Sequence, residues 1–78
     1  MSESEDLEKF KDDIEQLHLS HTLRIDSYLK TLKEKSSEAV LNGSVEDAQE
    51  MLSEILVIEN ERQKISASQK EFMEILND

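Results

Sequence analysis

The segment 48–76, AQEMLSEILVIENERQKISASQKEFMEIL, decides the fold. Within it Ala48, Met51, Ile55, Ile58, Arg62, Ile65, Gln69, Phe72 and Leu76 recur at alternating steps of three and four residues. An α-helix turns once every 3.6 residues, so such a stripe stays on one side of a helix and faces one neighbour along its whole length. A matching stripe precedes it: Leu7, Phe10, Ile14, Leu17 and His21, then Ile25, Tyr28, Leu32, Lys35 and Ala39. The step from His21 to Ile25 is four where the alternation requires three. This is a stutter, which relaxes the supercoil without ending the helix.

Proline is absent, and the chain's only glycine, Gly43, lies between the two stripes. Asn42-Gly43 is a left-handed helix stop. Ser44-Val45-Glu46-Asp47 follows at once and reads as a capping box, with Ser44 as cap and Asp47 three residues on. Upstream, Ser2 or Ser4 can cap the first helix, with Glu3, Glu5 and Asp6 against its positive end. A stop that touches a start leaves room only for a tight connection, so the helices are antiparallel neighbours. The sequence therefore predicts an all-α, coiled-coil-like antiparallel two-helix hairpin with helices over about 4–41 and 45–77. It is one domain, 1–78, with an acidic N-terminus frayed over about 1–5. Reversal at Gly43 pairs positions whose numbers sum to about 86. Phe10 then meets Leu76, Ile14 meets Phe72, Tyr28 meets Ile58, Leu32 meets Ile55, and His21 and Leu17 oppose Ile65 and Gln69 respectively.

Composition narrows the function classes. The formal charge is −10, and no cysteine is present, which removes disulfides, thiolate metal sites and cysteine nucleophiles. Residues 1–20 carry seven acids against two bases, and residues 41–60 carry five acids and no base. Nucleic acid and anionic membrane surfaces require clustered Lys and Arg, so neither is an expected partner. The longest apolar run, Ile55–Ile58, is four residues, far below the ~20 that span a bilayer. The start, Met1-Ser2-Glu3-Ser4-Glu5-Asp6, is acidic where a secretory signal is basic and then apolar. The expected compartment is the reducing cytoplasm.

No catalytic or metal constellation emerges. Glu15, His18 and His21 share one helix, but the two histidines fall on or beside the seam, and a closed zinc site needs four ligands. Ser20-His21 lies in an uninterrupted helix that offers no free N–H groups for an oxyanion hole. Asp12-Asp13 sits on a solvated face with no pocket around it. The chain is read as a non-enzyme without cofactor. Arg62 and Gln69, polar on the core stripe, are expected to fix register, with Arg62 in reach of Asp26; direct recognition of a partner is the other role open to them.

Each helix carries more apolar residues than one seam uses. Leu29 and Val40 lie on one flank of the first stripe, and Val45, Leu52, Leu56 and Met73 on the corresponding flank of the second. Antiparallel packing brings these flanks to one side of the hairpin, so the six residues are the expected partner-binding face, centred near the turn. Leu19 and Leu23 point away from the seam on the back of the first helix. A contiguous apolar surface on a small protein marks an interaction site. Its occupant is either a different protein or a second copy in a four-helix bundle.

A family resemblance rests on Leu32-Lys33-Glu34-Lys35, Asn42-Gly43 and Asp47-Ala48-Gln49-Glu50 leading into Leu52, Ile55 and Leu56. Over roughly residues 29–65 the chain resembles the small E-type component of the needle co-chaperone of bacterial type III secretion systems. It departs from that pattern in its longer acidic N-terminus and in lacking aromatics in the second helix before Phe72. The resemblance implies a hairpin that binds a tetratricopeptide-like co-chaperone and helps keep a needle subunit soluble before export. The expected function is thus a non-enzymatic co-chaperone or adaptor that stabilises a protein partner through one apolar face. The alternatives are a homo-oligomeric structural coiled coil and an acidic inhibitor of a basic target.

Overall fold

The computed structural model describes residues 3–78 as two α-helices, α1 over Glu3–Leu41 and α2 over Val45–Asn77, joined by three residues. α1 begins one residue earlier than expected. Glu3–Glu5, read above as frayed, form its first turn, and Ser4 lies inside the helix, where it cannot cap it. The other candidate cap, Ser2, is outside the described residues.

The reversal is built from backbone. Gly43 has φ +79, the left-handed conformation that L residues with a Cβ adopt at a cost. The Ser44 N–H donates to the Ala39 carbonyl at 2.8 Å and the Gly43 N–H to the Val40 carbonyl at 3.1 Å. These are the two bonds of a Schellman motif, and they satisfy carbonyls that the end of α1 leaves without partners. The expected capping box does not form: Ser44 caps α2 without a side-chain hydrogen bond. Its ψ of 65 is far from the extended value that aims a cap hydroxyl at the first turn. The Ser44 carbonyl instead takes the Ala48 N–H at 3.1 Å.

The helices lie side by side as a thin rod, 62 × 17 × 9 Å, with a radius of gyration of 18.1 Å; a compact domain of this length has about 11–12 Å. The buried apolar side chains are Leu29, Leu32, Ala48 and Ile55, with Ile25 and Ile58 packed against the Leu29–Leu32–Ile55 cluster. Buried Thr22 and Ser36 complete the seam of α1, and the Thr22 hydroxyl donates to the Leu19 carbonyl at 3.1 Å. All the buried residues fall between 22 and 55, so the half of the rod nearest the turn is the tight half.

α2 presents the expected stripe as far as Gln69, with Phe72 exposed and Met73 half-buried beyond it. α1 shifts by one residue at alternate inner positions, from Leu17 to His18, His21 to Thr22, Tyr28 to Leu29 and Lys35 to Ser36. Its inner face is Ile14, His18, Thr22, Ile25, Leu29, Leu32, Ser36 and Ala39, and Leu17, His21, Tyr28 and Lys35 are exposed. The stutter accordingly falls at Ile14–His18–Thr22. The alternative stripe would place the Lys35 ammonium and the Tyr28 hydroxyl in the seam, and desolvating them costs more than burying Leu29 and two small hydroxyl side chains. Leu32 and Ile55 share the core as expected, but Leu29 takes the place expected for Tyr28. Seam residues lie level at positions summing to 87, from Ala39 and Ala48 through Leu29 and Ile58 to Ile14 and Met73.

Gly43→Ala should destabilise the hairpin by about 1 kcal/mol, measured by urea unfolding of the isolated chain. The space around Gly43 is open, so the loss comes from φ alone, and Gly43→Asn should cost less. Equal stability of the alanine variant and the parent would contradict this.

Candidate functional site

The two flanks of the seam differ in chemistry, and the cross-helix contacts identify which residues belong to each. On one flank the Tyr28 hydroxyl donates to Glu54 Oε1 at 3.0 Å, and the Phe10 and Phe72 rings meet edge to face with centroids 6.3 Å apart. Both pairs sum to 82. Phe10 and Tyr28 are five whole helical turns apart, as are Glu54 and Phe72, so all four lie along one line of the rod. On the other flank Lys33 Nζ lies 3.3 Å from Glu59 Oε1, a pair that sums to 92. One heptad toward the turn from each of these partners are Val40 and Leu52, which therefore face each other on the same flank.

That second flank is the candidate site. Val40, Val45, Leu52 and Leu56 are each between 49 % and 68 % exposed. No charged residue interrupts the row Val45, Gln49, Leu52, Leu56 on α2. The expected six-residue face is corrected at two positions. Leu29 is 6 % exposed and belongs to the core cluster, because the one-residue rotation of α1 carries it from the flank into the seam. Met73 is half-buried, level with Ile14, while Phe72 has moved outward to meet Phe10. The remaining surface is a four-residue patch at the turn end, with Leu41 fully in solvent beside it. A second apolar cluster, Leu7, Phe10, Leu17 and Phe72, is exposed at the open end, and its aromatic pair marks it as belonging to the opposite flank. The sequence reading missed this separation because it placed Phe10, Leu17 and Phe72 in the seam.

Electrostatics at the edge of the seam are set by Arg62. Its Nε and Nη2 donate to the two carboxylate oxygens of Asp26 at 2.6 and 2.9 Å. A bidentate pair fixes both position and angle, so it ties the polar middle of the seam, where Ile25 faces Arg62, to one register. The Arg62 hydrogen bond, reinforced by its charge, holds the Asp26 carboxyl below its ordinary 3.8. The carboxylate of Glu54 raises Tyr28 above its ordinary 10.0, chiefly through their hydrogen bond.

Among the described residues no group of three or more His, Cys, Asp or Glu is placed to hold a metal ion, and no helix is long and apolar enough to cross a membrane. His18 is half-buried on the seam and His21 exposed beside it. A shallow, open depression on α1 is lined by Asp26, Leu29, Lys30, Lys33, Glu34 and Ser37.

Two variants test these assignments. Leu29→Ala should lower the unfolding free energy by about 2–4 kcal/mol, as expected for a buried leucine; a loss below 0.5 kcal/mol, normal for a surface position, would return Leu29 to the flank. Arg62→Met should raise the Asp26 pKa toward 3.8, followed by NMR titration of its carboxyl. Because the folded pKa is depressed, the contribution of the pair is present above the ordinary carboxyl range and disappears as pH falls through the folded value. An Asp26 titration identical in parent and variant would remove Arg62 as the cause.

No protein-family model matches the sequence, and neither a curated protein nor a solved structure matches the chain.

Proposed function

We propose that the chain is a non-enzymatic protein-docking module, a co-chaperone or adaptor that stabilises a protein partner through the turn-end flank. One observation carries this reading: four aliphatic side chains, Val40, Val45, Leu52 and Leu56, remain about half exposed or more on one side of the tight half of the rod. Fully burying a side chain of this size contributes about 1.5–3 kcal/mol. Four together offset a substantial part of the cost of association. The patch sits on two helices locked by the core behind it, so little ordering is lost when a partner arrives.

The resemblance noted in the sequence suggests a specific setting. In it the hairpin works in the cytoplasm beside a tetratricopeptide-like co-chaperone and holds a type III secretion needle subunit soluble before export. The hairpin form, the glycine turn and the aliphatic flank of α2 support that setting. The acidic exterior suits a protein that must stay soluble with an apolar side uncovered.

Leu52→Glu and Leu56→Glu should each abolish co-purification of the native partner with the tagged full-length chain and leave far-UV circular dichroism unchanged. Both positions are exposed, so an added carboxylate spares the seam and burdens only the interface. Retention of the partner by both variants would sink the assignment of this flank.

A further inference from the structure

We infer that, while no other protein holds the turn-end flank, a second copy of this chain covers it, packing α2 against α2 in an antiparallel, two-fold dimer. The inference rests on the reading of this flank as a docking surface and names its resting occupant.

Three observations on the molecule lead to a second copy. The first is symmetry. The exposed row Val45, Gln49, Leu52, Leu56 is spaced four, three, four, a pattern that reads the same from either end. Two such rows run antiparallel bring Val45 level with Leu56 of the second copy and Gln49 level with Leu52 of the second copy. A self-complementary surface of this kind is what a closed two-fold interface requires.

The second is charge. Two copies of a −10 chain repel wherever acids face each other. Between residues 45 and 56 the acids are Glu46, Asp47, Glu50 and Glu54, and none belongs to the row. At about 100° per residue they fall on the sides and back of α2. The inner limit of the patch is the Lys33–Glu59 pair, whose charges cancel. This is the side on which like-charged copies can meet.

The third is area. In the register above the copies overlap over residues 45–56, about 18 Å of the rod across a side 17 Å wide, which covers roughly 300–400 Å² per copy, about 700 Å² in all. That is the size of a transient contact and not of a stable interface, so the dimer is expected to be weak, with a dissociation constant roughly 100 micromolar or higher. The product is a short four-helix bundle at the turn ends, in which Val40 and Leu52 of each copy leave solvent.

Sedimentation equilibrium of the purified full-length chain tests this across about a hundredfold range of concentration. The expected result is a monomer–dimer equilibrium whose association tightens with added salt, because screening relieves repulsion between acidic copies. Leu56→Glu and Leu52→Glu should each weaken association at least about tenfold, with helicity retained. Val57→Glu adds the same charge at the next position, about 100° around α2 and off the row, where the side chain is also exposed, and should associate like the parent. A chain monomeric throughout that range overturns the dimer, as does association that loosens with salt, or a Leu56→Glu effect matched by Val57→Glu. If the pure chain is monomeric while partner co-purification still depends on Leu52 and Leu56, the second copy is wrong and the docking reading stands. If neither association responds to these glutamates, both are wrong.

Discussion

Two helices share a single seam, and a single seam can dry only one stripe of each. In this chain that seam closes on Leu29, Leu32 and Ile55, with Ile25 and Ile58 beside them, all within a few turns of the reversal. The Schellman bonds at Gly43 fix how α2 leaves α1, and the cluster then fixes their rotation. Every other feature follows from that rotation. It makes Tyr28 a rim residue and Leu29 a core residue, and it separates the flank lined by Tyr28, Glu54 and the aromatic pair from the flank lined by Val40, Leu52 and Leu56. Among the described residues no third helix covers the apolar side chains that miss the seam.

The seam itself changes character along the rod. Near the turn, Ala39 level with Ala48 lets the backbones approach, and large aliphatic groups fill the space behind them. In the middle, His18, Thr22, Arg62 and Gln69 dilute the apolar contacts. There the helices are held by directional bonds, chiefly the bidentate Arg62–Asp26 pair. An exposed ion pair contributes little to stability, but it rejects a register slipped by even one residue, because neither guanidinium nitrogen then meets its oxygen. Stability therefore comes from the turn half and alignment from the middle.

The hairpin and the inner face of α2 as far as Gln69 were legible in the sequence because apolar residues, interrupted only by Arg62 and Gln69, occupy that stripe without a competitor; beyond it Met73 competes with Phe72 and takes the seam. α1 was harder. Two adjacent stripes run along it, one through Leu17, His21, Tyr28 and Lys35 and one through His18, Thr22, Leu29 and Ser36. Periodicity scores apolar content and therefore favoured Tyr28. Packing asks instead what is left unsatisfied, and Thr22 and Ser36 are small and can bond their own helix, whereas a buried Lys35 cannot. The presence of Lys35 on the chosen stripe was the available signal. The same one-residue error put Leu29 on the docking flank and hid the separate cluster at Phe10, Leu17 and Phe72. Val40, Val45, Leu52 and Leu56 are exposed all the same, because three of them are on the part of α2 whose stripe is the expected one. The Ser44 cap failed for a different reason: a motif specifies side-chain types, and the dihedral angles of this turn direct the hydroxyl elsewhere.

The location of the flank within the rod also bears on how it can work. A docking surface holds its geometry only if the backbone beneath it does not yield, since ordering a mobile surface on binding consumes the energy that contact supplies. Here Leu52 and Leu56 share the turns of α2 that carry Ile55 into the core, and Val40 lies next to Ala39 on the seam. The exposed and buried side chains are thus neighbours on the same rigid helical turns. The open-end cluster lacks that support, because none of the described residues around it is buried and both rings of its aromatic pair are themselves exposed. A partner there would have to order the helices as well as cover them. Of the two apolar surfaces, the one at the turn rests on the buried core, and this is the physical ground on which the proposed docking role falls to Val40, Val45, Leu52 and Leu56 and not to the open end.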